Sequence, residues 1–91
     1  MYPVGKNRLF YESKSDIEKT VEVEFLNPDL QLSDKLPMIH ANSFTYYIDI
    51  WFRQYGPYLV KVYEGGIEKH KEILNVTRPG IILYPKEKYF I

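Results

Sequence analysis

Three features of the sequence predict a small all-β domain, an antiparallel β-sandwich of about six or seven short strands. Apolar and polar residues alternate with period two through most of the chain, and no window sustains a helical period. Clusters of Gly, Pro, Asn and Asp interrupt the alternation about every 8 to 12 residues, the spacing of sandwich turns. Aromatic residues make up 16% of the chain, with 9 Tyr against 5 Phe and 1 Trp. Tyrosine buries its ring while keeping its hydroxyl wet, which suits half-buried sheet surfaces.

The elements follow in order. A first strand is expected at about Arg8 to Glu12, then a polar loop, SKSDIEK, over residues 13–19. Val21, Val23 and Phe25 alternate with Glu22 and Glu24, the mark of a strand with one buried face. Asn27-Pro28-Asp29 ends it, because Pro donates nothing to a ladder and Asn and Asp favour turns. Leu36 to His40 reads as one short strand, placed at a sheet edge by Pro37. Ala41-Asn42-Ser43 is a turn. Strands are expected at 44–52 and 58–64, joined as a long hairpin. Gly65-Gly66 supplies the positive φ angles of a tight turn into a strand at 67–76. The phase of that last strand slips at Glu72 to Leu74, which predicts a bulge there. Arg78-Pro79-Gly80 and Pro85 punctuate a tail with apolar runs at 81–84 and 89–91. The 91 residues read as one domain, with a core over about 19–76 and extended arms at about 1–12 and 81–91.

A turn at Arg53 to Pro57 sets Phe52 opposite Tyr58. Ile50 then pairs with Val60 and Ile48 with Val62 on an apolar face, the predicted core. On the other face the same register pairs Trp51 with Leu59, Asp49 with Lys61 and Tyr47 with Tyr63. That second face is either ordinary sheet decoration, or covered by the chain's own tail at 81–91, or covered by another chain. On the functional reading Tyr47, Trp51, Leu59 and Tyr63 form a contiguous docking patch, since clustered Trp and Tyr are the common anchors of protein interfaces. The arms add Tyr84, Tyr89 and Phe90 as contact residues, because apolar ends outside the main strand set tend to pair with something.

Composition excludes several classes of function. Twelve basic residues balance 12 acidic ones, so no net field draws the chain to nucleic acid or an anionic membrane. Absence of cysteine removes disulfides, thiolate catalysis and cysteine zinc sites. MYPVGKNRLF lacks the pattern of a secretory signal, and no apolar run approaches a membrane span. The chain reads as soluble and complete, placed in a virion or in the cytoplasm of the producing cell. His40 and His70 lie far apart without acidic companions at ligand spacing, so neither metal nor cofactor is expected. Glu22 and Glu24 read as the wet side of a strand, and Asp29 and Asp34 flank a loop without a calcium-binding pattern. Serines 13, 15, 33 and 43 sit in polar turns, none in a nucleophile elbow. No enzymatic activity is expected.

Three stretches carry a family resemblance: TVEVEFLNPD at 20–29, YYIDI at 46–50 and GPYLVKVYEGG at 56–66. Together they resemble immunoglobulin-like β-sandwich modules of macroglobulin and bacterial-surface proteins, which recur in bacteriophage capsid and tail components. The immunoglobulin Cys…Trp…Cys spacing is absent. The resemblance implies a structural protein that joins copies of itself or other subunits of an assembly, such as a virion decoration, connector or tail protein. Two alternatives use the same aromatics. In a small OB-type barrel, Tyr47, Trp51 and Tyr63 stack on bases with Arg53, Lys61, Lys69 and Lys71 at phosphates. In a carbohydrate- or receptor-binding module they meet a sugar or protein ligand.

Overall fold

A computed structural model describes the backbone of residues 2–3, 5–77 and 87–90 and the side chains of residues 5–77. Nine strands and no helix occur among them: β1 (Tyr2–Pro3), β2 (Gly5–Glu12), β3 (Val21–Leu26), β4 (Leu36–Pro37), β5 (Ile39–His40), β6 (Thr45–Phe52), β7 (Gly56–Glu64), β8 (Ile67–Thr77) and β9 (Glu87–Phe90). They form two sheets, ordered β1-β8-β7-β3-β4 and β5-β6-β2-β9. Pairing is antiparallel except for β1 with β8 and β2 with β9.

Alternation correctly assigns the inner faces. Leu9, Val23, Val60 and Val62 are fully buried, and Val21, Phe25, Tyr46, Phe52, Tyr58, Leu74 and Val76 complete most of the core between the sheets. The glycine turn is also as expected, with φ of 57° and 85° at Gly65 and Gly66, the positive pair that a tight hairpin between β7 and β8 requires.

The expected long hairpin does not form. β6 pairs with β2 and β5, whereas β7 pairs with β3 and β8, so the chain crosses from one sheet to the other between Phe52 and Gly56. Ile48, Ile50 and Phe52 still point inward, as do Tyr58, Val60 and Val62, but the two sets belong to different sheets. Phe52 makes this visible: its ring meets Tyr58 at 4.7 Å and Phe25 of β3 at 6.0 Å.

Two further expectations are corrected. Residues 36–40 are two strands in different sheets, divided at buried Met38, whose N–H donates to Val21 C=O at 2.8 Å. The bulge of β8 lies at Glu68 to His70, where the register shifts opposite Val62 and Tyr63, and not at Glu72 to Leu74. His70 and Glu72 take inward positions opposite Val62 and Val60, and their side chains meet at 3.4 Å at the margin of the core. Polar residues at inward positions hide the phase.

The N-terminal arm is likewise incorporated. Residues 5–12 are β2, an interior strand of the smaller sheet, with Leu9 at 0% exposure. The backbone of residues 87–90 lies along the other side of β2, pairing Tyr89 with Phe10 and Phe90 with Tyr11. Residues 81–84 lie outside the described residues.

Each of two sheet crossings is fixed by a tyrosine. At the β6–β7 crossing, the Tyr58 hydroxyl accepts from Gln54 N–H at 3.2 Å and donates to Gln54 C=O at 3.3 Å. Gly56 completes that corner. Its φ is 116°, and a Cβ there would lie 3.0 Å from Pro28 Cγ, so both the angle and the space demand glycine. At the β2–β3 crossing, the Tyr11 hydroxyl donates to Glu64 Oε2. Ser13 Oγ donates to Glu64 Oε1 at 3.2 Å, and Lys19 Nζ lies 3.2 Å from the same oxygen and donates to Ser13 Oγ at 2.7 Å. Burial alone raises a carboxyl's pKa; here the hydrogen bonds from Tyr11, Lys19 and Ser13 and the Lys19 charge outweigh it and hold Glu64 below its ordinary value. Burial and the Glu64 carboxylate push the Tyr11 phenol well above its ordinary value.

These corners yield two predictions. Tyr58→Phe leaves the half-buried Gln54 N–H and C=O without their partner, and chemical denaturation should report a loss of about 1 kcal/mol. Stability against pH should be flat from about pH 5 to 10 and fall on both sides. The lowered Glu64 contributes above the unfolded carboxylate value of about 4.3 and is lost as pH drops through its folded one. The raised Tyr11 contributes below the unfolded phenol value of about 10 and is lost as pH rises past it. In Glu64→Gln, thermal melts should show both limbs reduced, with the remaining acid limb belonging to the Arg8-paired Asp49.

Candidate interaction surface

Because β6 and β7 belong to different sheets, the expected patch is divided between two outer surfaces. Tyr47 and Trp51 lie outside the β5-β6-β2-β9 sheet, and Leu59 and Tyr63 lie outside the other. Of the remaining contact residues expected, Tyr84 falls outside the described residues, and Tyr89 and Phe90 are described only as backbone of β9.

The Tyr47 surface is assembled by β2, whose register sets Phe10 opposite Tyr47, Arg8 opposite Asp49 and Lys6 opposite Trp51. Phe10 and Tyr47 rings are 6.1 Å apart, and the Arg8 guanidinium lies 4.7 Å above the Tyr47 ring. Arg8 grips Asp49 with two hydrogen bonds, Nε to Oδ1 at 2.8 Å and Nη2 to Oδ2 at 3.1 Å. These bonds hold the Asp49 carboxyl below its ordinary pKa. The Asp49 partner is thus Arg8 and not Lys61. Trp51, at the end of this row, is 60% exposed, and Ile39 on β5 is 54% exposed.

On the opposite surface, Tyr63 donates to Glu24 Oε1 at 3.0 Å, and Lys35 Nζ sits 4.1 Å above its ring. Partial desolvation, then the Glu24 contact, raises the Tyr63 phenol. Lys61 reaches Glu68 at 3.7 Å and lies opposite Lys71 in the ladder. Of the basic residues expected at phosphates, Lys61 and Lys71 share a surface with Tyr63 and are separated from Tyr47 and Trp51 by the sandwich, Lys69 lies at the β8 bulge, and Arg53 lines the groove beside Trp51. The stacking platform of the OB reading is not brought together.

Sequence reasoning missed a groove at the open side of the sandwich, between β6 and the β3–β4 segment. It has a volume of about 440 Å³. Phe25, Leu36, Ile50, Phe52 and Tyr58 supply apolar walls, Trp51 stands at the mouth, and Asn27, Gln31 and Gln54 supply amides. The Asn27 turn shapes the rim, its Oδ1 accepting from Asp29 N–H at 3.0 Å and Gln31 N–H at 2.9 Å. Gln54 Nε2 donates to Asp29 Oδ2 at 2.7 Å. Gln54 Oε1 is buried and accepts no hydrogen bond among the described residues. The hairpin reading set Phe52 beside Tyr58 but did not bring Phe25 of β3 and Leu36 of β4 against β6, so the groove had no signal in the sequence.

The histidines lie elsewhere. His40 stacks on Tyr46 at 4.7 Å, with Glu18 3.8 Å away, and His70 meets Glu72. Comparison with known proteins gives the chain no family: no family model matches it, and no curated protein sequence matches it.

Proposed function

We propose that the chain is a non-enzymatic structural and interaction protein, an immunoglobulin-like module that docks on protein subunits of a larger assembly such as a phage virion. Trp51 carries this reading. The chain's lone tryptophan stands exposed where an aromatic sheet face meets an apolar groove, the setting in which tryptophan anchors protein interfaces. Phe10, Tyr47 and Arg8 beside it belong to the residue types enriched at such interfaces.

The immunoglobulin-like part of the reading draws support from strand neighbours. β2 beside β6, with β8, β7 and β3 side by side in the facing sheet, matches strands B and E against G, F and C. Tyr58 at the start of β7, bonded back to Gln54, occupies the place of the tyrosine corner of those domains. The parallel β9 departs from that pattern, as does the exposed tryptophan on β6.

A carbohydrate-binding reading has one observation in its favour, the exposed indole beside the groove amides of Asn27, Gln31 and Gln54. Saturable binding on a glycan array, abolished by Trp51→Ser, would establish it. The assembly reading predicts that light scattering of the chain isolated from its native source gives a mass far above that of one chain, and that Trp51→Ser lowers it. Free monomer in both preparations would contradict the reading.

A further inference from the structure

Edge strands are normally covered or blunted, because a row of unpaired N–H and C=O groups recruits another strand. One edge here is protected and its neighbour is not. β3 is covered along its length: Leu36 pairs with Val23, Leu32 bridges to Leu26, Ser33 N–H donates to Phe25 C=O at 2.8 Å, and Ser33 Oγ accepts from Phe25 N–H at 2.9 Å. β6 is covered by β5 only at Tyr46 and Tyr47, because the chain leaves for the other sheet at Met38.

The direction of the free groups follows from the start of β6. Phe44 C=O accepts from Ser13 N–H at 2.8 Å on the β2 side, whereas Thr45 C=O accepts from Ala41 N–H at 2.8 Å on the β5 side. Backbone groups alternate sides along an antiparallel strand. Tyr47, Asp49 and Trp51 therefore direct their N–H and C=O toward the β5 side, where β5 reaches only as far as Tyr47. Beyond it no described residue pairs with the edge Ile48–Phe52, which has neither proline nor lysine to guard it, and the groove runs directly beneath.

We propose that the open edge of β6 accepts an extended polypeptide segment from a partner protein, which adds as a strand beside Asp49 and Trp51 and inserts alternate apolar side chains into the groove. This rests on the interaction-protein reading and names its mode. Only a polypeptide backbone offers donors and acceptors at the repeat the edge presents. A second copy pairing its own β6 here would leave the groove unfilled, since its Ile48, Ile50 and Phe52 already pack in its own core. A free segment has side chains to spare. Gln54 Oε1, buried at the groove, would accept from a donor on the bound strand.

Trp51 reports binding directly. Titrating the full chain with a short peptide that alternates valine and threonine between lysine ends should shift Trp51 emission to the blue and saturate. The same peptide N-methylated on the amides of one edge should bind at least about tenfold more weakly, as should the scrambled sequence. Asp49→Pro removes one free N–H and the Arg8 pair while leaving the backbone bonds to β2 in place, and Asp49→Ala removes the Arg8 pair alone; both should stay folded, the proline variant should lose peptide binding by a similar factor, and the alanine variant should keep it. Equal binding of the N-methylated peptide, or no shift at millimolar peptide, would overturn strand addition. If the native chain is nevertheless found in a large assembly, the interaction reading survives that failure. A concentration-dependent dimer that Asp49→Pro returns to monomer would overturn the choice of occupant.

Discussion

The corner between Phe52 and Tyr58 decides the rest of the architecture. A backbone with φ of 116° at Gly56, held beneath the Pro28 ring, carries the chain away from the plane of β6. Tyr58 then closes the corner by bonding both backbone groups of Gln54. Once β7 lies in the facing sheet, β6 and β2 in one layer continue as β7 and β3 in the other. The second crossing, latched by Glu64, Tyr11 and Lys19, stands at the opposite end of these strands. Two sheets laced in this way cannot separate without breaking one polar corner, which is how a chain of 91 residues keeps a modest core in register.

The same corner creates the surface features. With β7 removed from its side, β6 has a neighbour on that flank, among the described residues, only as far as β5 extends. Apolar walls from both sheets meet below the uncovered stretch, and Trp51 is left at the rim. The outer face is more settled than its composition suggests. Arg8 satisfies Asp49 and covers Tyr47, so the exposed apolar area concentrates at Trp51 and Ile39.

Faces were legible in the sequence and neighbours were not. Period-two alternation identifies which side chains of Thr45–Phe52 and Gly56–Glu64 enter the core, and it does so correctly. It carries no information on which strand lies alongside. Asp49 finds an opposite charge equally well in Lys61 or Arg8, and a cross-strand pair is worth only about 0.2 to 1 kcal/mol. Arg53 to Pro57 is as compatible with a hairpin loop as with a corner; the Pro28 contact that excludes a side chain at Gly56 comes from a residue 28 places earlier. The groove was invisible for the same reason. Its residues come from β3, β4, β6 and β7, and only the correct pairing brings them together. The divided patch is the cost of that error: Tyr47 shares one outer surface with Trp51, and Leu59 shares the other with Tyr63.

Backbone amide hydrogen exchange, read residue by residue, tests the crossing and the open edge together. The account predicts slow exchange at Ile48, Ile50 and Phe52, whose amides face β2, and fast exchange at Asp49 and Trp51, whose amides face the uncovered side. Protection of Asp49 and Trp51 equal to that of Ile50, accompanied by cross-strand contacts between Trp51 and Leu59, would restore the hairpin and contradict it.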